Sequence, residues 1–145
     1  MADGQDYFFI LLVLSVLLHF LFPVPAFLSP PFTYSGSLLI GSGFVLVLWS
    51  RSLLLSNSTT LQPSEEPTSL VTVGPYRISR NPVYLGMAAI LLGVAVFLGT
   101  PVAWVFPALF VILIGFLVIP GEERKLEILF GERYREYKKR VRRWI

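Results

Sequence analysis

The sequence predicts an all-α integral membrane protein: four transmembrane helices and a C-terminal amphipathic helical segment, in a single membrane domain. Three observations carry this. Hydrophobic residues make up 54% of the 145-residue chain and charged residues only 14%, and a soluble domain this small could not bury so much apolar surface. The charges avoid four apolar runs, each approaching the ~20 residues with which a helix crosses ~30 Å of hydrocarbon. The charges that remain collect on one side of those runs. Unpaired backbone groups are not tolerated in lipid, so the runs must be helical.

The first run spans about Tyr7 to Val24. Val24-Pro25-Ala26 resembles a signal cleavage site, but the flank "MADGQD" has two acids and no Lys or Arg. The basic region of a signal peptide is missing, and the segment is expected to be a retained helix. His19 lies near its far end; an intramembrane ionisable group is a functional candidate by default, although a lone histidine near an interface is more often structural. The second run spans about Ser37 to Leu55, the third about Val83 to Gly99 and the fourth about Pro101 to Ile119. Ser37 with Gly41, and Ala89 with Gly93, are small residues at spacings suited to close helix contact. Gly41-Ser42-Gly43 follows no strand and is not a nucleotide-binding loop. Only Gly99-Thr100-Pro101 joins the third and fourth runs, which predicts a tight antiparallel hairpin, and Pro107 is expected to kink the fourth helix. Over 121–145, Leu126, Phe130, Tyr134, Tyr137, Val141 and Trp144 form one apolar stripe at helical spacing. The expected element is an amphipathic helix in the headgroup layer, with Gly131 as its weak point.

Orientation follows from charge. The connections around 23–34 and 99–101 carry none, whereas Arg51, Arg77, Arg80 and the basic tail share a side with both termini. The excess of positive charge predicts that the N-terminus, the 56–80 loop and the tail are cytoplasmic. From Gly121 onward there are nine Lys/Arg against five Glu; a basic tail adjoining a membrane helix points to anionic lipid headgroups rather than nucleic acid. The chain has no cysteine and one histidine, which excludes thiolate chemistry and predicts no metal site. No charge lies near the middle of a run, which argues against a small-solute transporter. No strand–loop–helix glycine motif opens a doubly wound nucleotide-binding sheet.

The polar chemistry concentrates in "GPYRISRNPVYLG", Gly74 to Gly86, at the start of the third run. Pro75 and Pro82 stiffen the backbone and restrict the residues before them. Arg77 and Arg80 are permanently charged forks suited to carboxylate or phosphate, and Tyr76 and Tyr84 offer ring faces and hydroxyls. Glu122 and Glu123 reach the same boundary from the end of the fourth run, so the hairpin should bring arginines and glutamates together. Arginines meeting lipid phosphates and an aromatic belt would also account for these residues.

"SLVTVGPYRISRNPVYLG" followed one hairpin later by "EERKLEILFGERYREYKKRVRRWI" resembles the integral-membrane methyltransferases of the isoprenylcysteine carboxyl methyltransferase and phospholipid methyltransferase superfamily. The resemblance covers about Thr59 to Ile145. It implies S-adenosylmethionine as methyl donor, bound at the cytoplasmic boundary beneath the last helices and the C-terminal segment, and an amphiphilic acceptor entering from the bilayer. Many members carry histidine where this chain has Asn81, and another about where Thr68 stands. Asparagine can hydrogen-bond a cofactor but cannot serve as acid or base. Thr59, Thr60, Pro63 and Leu70-Val71-Thr72 are expected in the loop wall.

On this reading Arg80, then Arg77, positions an ionised acceptor carboxylate. Tyr76, Asn81, Tyr84, Glu122 and Glu123 are the cofactor-binding candidates. The leading acceptor is the carboxylate of an isoprenylcysteine-like lipophile. The alternatives are a phospholipid amine, or a non-catalytic protein whose tail binds membrane lipid.

Overall fold

The computed structural model of the protein describes residues 3–57 and 68–145; Thr59, Thr60 and Pro63, expected in the loop wall, lie outside them. Six α-helices follow in order: α1 (Gly4–Leu21), α2 (Ser35–Ser56), α3 (Pro82–Leu98), α4 (Pro101–Leu113), α5 (Ile119–Phe130) and α6 (Glu132–Arg140). No strand forms among the described residues. Gly4–Leu21, Phe32–Ser56 and Pro101–Phe130 are long and apolar enough to cross a membrane, and α3 is a shorter apolar helix of 17 residues.

Helix α1 starts earlier than its apolar run, at Gly4 rather than Tyr7. The Asp6 carboxylate accepts the Asp3 backbone N–H at 2.9 Å, and an acid in the first turn suits the positive end of the helix dipole. The helix stops at Leu21, because Pro23 and Pro25 push the residues before them out of helical geometry.

Glycines join α2 to α3. A Cβ on Gly43 would lie 2.6 Å from the Gly86 carbonyl oxygen, and one on Gly93 would lie 2.7 Å from that of Gly36. Glycines seven apart on each helix, about two turns, therefore meet as two antiparallel pairs. Lipid offers no hydrophobic drive between helices, so close backbone approach does the joining. Gly93 is at the contact as expected; Ser37 is exposed and Gly41 would place its Cβ in open space. The buried face is Gly36 and Gly43 instead, since a one-residue step turns a helix by about 100°.

Gly99 turns α3 into α4 with φ +68°, the left-handed region glycine adopts without cost. Its carbonyl accepts the Phe27 and Leu28 N–H groups at 3.0 and 3.3 Å, and His19 Nδ1 shares a hydrogen bond with Thr100 Oγ1 at 3.1 Å. The histidine thus ties α1 to the uncharged end of the bundle. Phe8 and Leu11 of α1, Met87 and Leu91 of α3, and Phe106 and Phe110 of α4 form the core with Ile114 and Ile119.

The fourth run does not end at Ile119. A π turn, Ile114–Val118, links α4 to α5, and the helix continues to Phe130. Within the turn the Ile119 N–H reaches the Ile114 carbonyl, one residue further than an α-helical bond. The next bond of that wider ladder would run from residue 120 to the Gly115 carbonyl, and Pro120 has no N–H to give. The helix passes the proline at the cost of one helical hydrogen bond.

The helical segment expected over 121–145 breaks at Gly131, its expected weak point. Gly131 (φ +51°, ψ −124°) separates α5 from α6, and from Val141 the chain is extended. Its apolar stripe does not face lipid. Tyr134, Tyr137 and Val141 are buried together against Leu70, Leu126 and Phe130, while Trp144 packs on the main core. Intramolecular packing takes the surface that an isolated amphipathic helix would offer to a bilayer.

Candidate functional site

At the charged end of the bundle four segments converge: the start of α3, the start of α5, a 3-10 turn at Gly74–Arg77 and the C-terminal segment of residues 141–145. Adjacent residues on an α-helix diverge by about 100°, so Glu122 and Glu123 face different neighbours.

Glu122 faces α3 and α1. Tyr84 donates its hydroxyl to Glu122 Oε1 at 2.6 Å, and Gly4 lies so close on the Tyr84 ring that a side chain there would collide with it. The first turn of α1 therefore covers this pair.

Glu123 is 6% exposed and is the centre of a cationic cluster. Arg80 Nη1 lies 3.1 Å from its Oε1. Arg143 grips both oxygens, with Nε 3.1 Å from Oε1 and Nη2 2.8 Å from Oε2, and Lys138 Nζ stands 3.8 Å from Oε2. Three cations on one carboxylate leave local positive charge to spare. A buried carboxylate needs such partners, because desolvation would otherwise favour its neutral form. Arg80 also donates through Nη1 to the Tyr134 hydroxyl at 3.4 Å; its side chain is only 9% exposed, yet its Nε has no partner among the described residues.

Asn81 and Tyr76 hold the frame. Asn81 Nδ2 donates to the Arg143 carbonyl at 3.0 Å, and Ser79 Oγ donates to the same oxygen at 3.2 Å. The Arg80 N–H donates to the Arg142 carbonyl at 3.0 Å, so residues 79–81 and 142–143 are laced together. The Tyr137 hydroxyl donates to the Tyr76 carbonyl at 2.6 Å, and the buried Tyr76 hydroxyl points to the Ser50 carbonyl at 3.5 Å. Burial pushes the Tyr76 and Tyr137 phenols well above their ordinary value, so both remain protonated donors. Arg77 lies exposed, outside this network.

Between α5 and α6 runs an open cleft of about 450 Å³, lined by Pro120 and Ile128 and by the charges of Glu123, Arg124, Glu127, Arg135 and Lys138. Glu123 is the one expected site residue that lines it. Arg80 and Glu123 are thus brought together, as are Tyr84 and Glu122, while Tyr76 and Asn81 are engaged with backbone. Sequence reading missed Ser79, Tyr134, Tyr137, Lys138 and Arg143. The tyrosines were visible as a stripe but assigned to lipid, and nothing in a run of basic residues distinguishes Arg143. Among the described residues no group of three or more His, Asp or Glu is placed to hold a metal ion.

Fold and site together define a helical membrane protein with its polar groups assembled at one end of the bundle. The family model for phospholipid methyltransferases matches residues 32–133, which hold α2 to α5 and both glutamates. The chain belongs to that family, part of the membrane methyltransferase superfamily that also includes the isoprenylcysteine carboxyl methyltransferases. Membership implies methyltransferase activity. A protein of Haemophilus influenzae described as uncharacterized is 41% identical over 63 residues, covering 43% of this chain and 100% of the relative. No solved structure matches.

Proposed function

We propose that this chain is an S-adenosylmethionine-dependent methyltransferase acting on a membrane-embedded lipophilic acceptor, by carboxyl O-methylation of an isoprenylcysteine-like substrate. The observation that carries the reading is the Arg80–Glu123 contact, which couples the arginine block to the glutamate block and leaves a buried Arg80 Nε unpartnered beside surplus positive charge.

The residues fit the donor. S-adenosylmethionine supplies a methyl group already activated on a sulfonium. Glu122, oriented by Tyr84, and Glu123 supply carboxylates for its ribose hydroxyls or ammonium group, while Asn81, Lys138 and the backbone amides nearby suit its carboxylate. Of the tyrosines expected here, Tyr84 keeps a partly exposed ring that suits an adenine or a cation, whereas Tyr76 is buried. Arg80 serves the acceptor, with Arg77 as the second candidate. A carboxylate acceptor is already ionised at neutral pH, so the protein's part is to align it and exclude water. No base is needed, which suits a site with Asn81 and Thr68 at its histidine positions. The excess of Lys and Arg at this end supports a cytoplasmic site with both termini on the same side.

The family description favours a second reading, a phospholipid amine as acceptor. The two acceptors differ in pH behaviour: a carboxylate stays nucleophilic above about pH 5, whereas an amine must first lose its proton. Calorimetric titration with S-adenosylhomocysteine tests the donor, and absence of binding overturns the proposal. A labelled-methyl assay on a prenylated cysteine and on phosphatidylethanolamine, run against pH, tests the acceptor. Transfer only to the amine, rising through alkaline pH, overturns the carboxyl reading.

A further inference from the structure

Arg143 lies beyond the residues that the family model matches, yet it ties together three distant parts of the chain. Its fork holds Glu123, its Nη1 donates to the Gly115 carbonyl at 3.4 Å, and its own carbonyl takes Ser79 and Asn81. Gly115 carries the carbonyl whose helical bond Pro120 removes within the π turn. The guanidinium therefore has a fixed berth at one end, and the backbone behind it is pinned on both sides of Arg80.

This arrangement limits what Arg80 can do with Glu123. An arginine facing a carboxylate prefers two parallel bonds, one to each oxygen. Arg143 already occupies both oxygens at 3.1 and 2.8 Å. Arg80 meets only one of them, as an ion pair through Nη1 at 3.1 Å, while that Nη1 donates its hydrogen bond to Tyr134 and its Nε is left unpartnered. Without Arg143 only the longer Lys138 contact, 3.8 Å, holds Oε2, and the carboxylate can turn to take the Arg80 fork on both oxygens. Arg80 would then direct its N–H groups to Glu123 and away from the site.

We infer that Arg143 is a positioning residue, which holds Glu123 so that Arg80 meets it only as a one-atom ion pair and keeps N–H groups for the anionic part of the acceptor. The inference rests on the acceptor role proposed above for Arg80. The ligand chemistry it serves is a carboxylate or a phosphate within an amphiphile.

The test uses the full chain in lipid nanodiscs, with a prenylated cysteine and phosphatidylethanolamine each offered as acceptor. In Arg143→Lys the charge beside Glu123 remains but the fork is lost. The KM for whichever acceptor is methylated should rise about tenfold, equivalent to about 1.4 kcal/mol, with kcat within about twofold of wild type. In an Arg80→Lys background the same substitution should have little further effect on KM, because the two residues act as one unit. Where Arg143→Ala fails to fold, Arg143→Lys carries the measurement. An unchanged KM in active Arg143→Lys overturns the inference and leaves the functional proposal standing. A parallel fall in kcat and S-adenosylhomocysteine affinity with KM unmoved assigns Arg143 a purely structural role and also overturns it. A wild-type chain that neither binds S-adenosylhomocysteine nor transfers methyl overturns the functional proposal, and this inference with it.

Discussion

Arg80 and Glu123, separated by the whole α3–α4 hairpin, meet at 3.1 Å with both side chains more than nine-tenths buried. Removing the carboxylate leaves Arg80 and Arg143 facing each other without a counter-charge. Glu123→Ala should lower stability by about 3–5 kcal/mol, as breaking a buried pair does, and should greatly weaken S-adenosylhomocysteine binding while the protein still inserts. Chemical denaturation in detergent and calorimetry read the two effects. Near-wild-type values in both would show that Glu123 is not the hub described here.

Arg80→Ala separates site from scaffold. The Arg143 fork on Glu123 survives, so the fold should persist while methyl transfer falls by about tenfold to a hundredfold, the worth of one or two bonds to a charged group. A labelled-methyl assay on the folded variant decides. Undiminished turnover would remove Arg80 from the acceptor site.

Tyr84→Phe deletes the 2.6 Å bond to Glu122 and keeps the ring that rests against Gly4. A bond to a charged acceptor contributes about 1.5–3 kcal/mol, and a loss of that size is expected on thermal unfolding. A change near zero would mean that Glu122 finds another donor.

The glycine pairs give a paired control. Gly93→Val would drive its side chain against the Gly36 carbonyl and Ile40, and α2 and α3 must separate at a cost of about 1–3 kcal/mol or more. Gly41→Ala meets nothing within 4 Å and should be neutral, or stabilise by up to about 1 kcal/mol through helix propensity. Thermal melts should show a clear loss for Gly93→Val and none for Gly41→Ala. Equal losses would argue against the Gly36–Gly93 contact.

Burial raises the Tyr76 and Tyr137 phenols above their ordinary value. In the unfolded chain they lose protons near pH about 10, whereas the folded phenols hold theirs. The unfolded state then binds fewer protons, so stability is fully present below about pH 10 and declines as pH rises above it. Tyr137→Phe removes one of the two groups and should flatten that decline. Melting temperatures followed through the alkaline range would show it, and an unchanged slope would mean that Tyr137 ionises freely.

The sequence by itself determined the membrane character, the helical runs, the α3–α4 hairpin and the end of the bundle at which arginines and glutamates gather. Those properties follow from local quantities: apolar run length, turn residues and charge placement. Tertiary structure decided which partners those groups take. Whether Gly41 or Gly43 faces α3 depends on helix rotation, which one residue changes by about 100°, and both spacings read equally well in one dimension. The Tyr134–Tyr137 stripe carries no mark of whether protein or lipid will cover it; packing against Leu70 and Val141 settled that. The fourth apolar run ends beside Pro120, yet a π turn carries the helix past it, and the Gly115 carbonyl there accepts from Arg143. That arginine comes from 28 residues further along the chain, and no local pattern encodes so distant a bond.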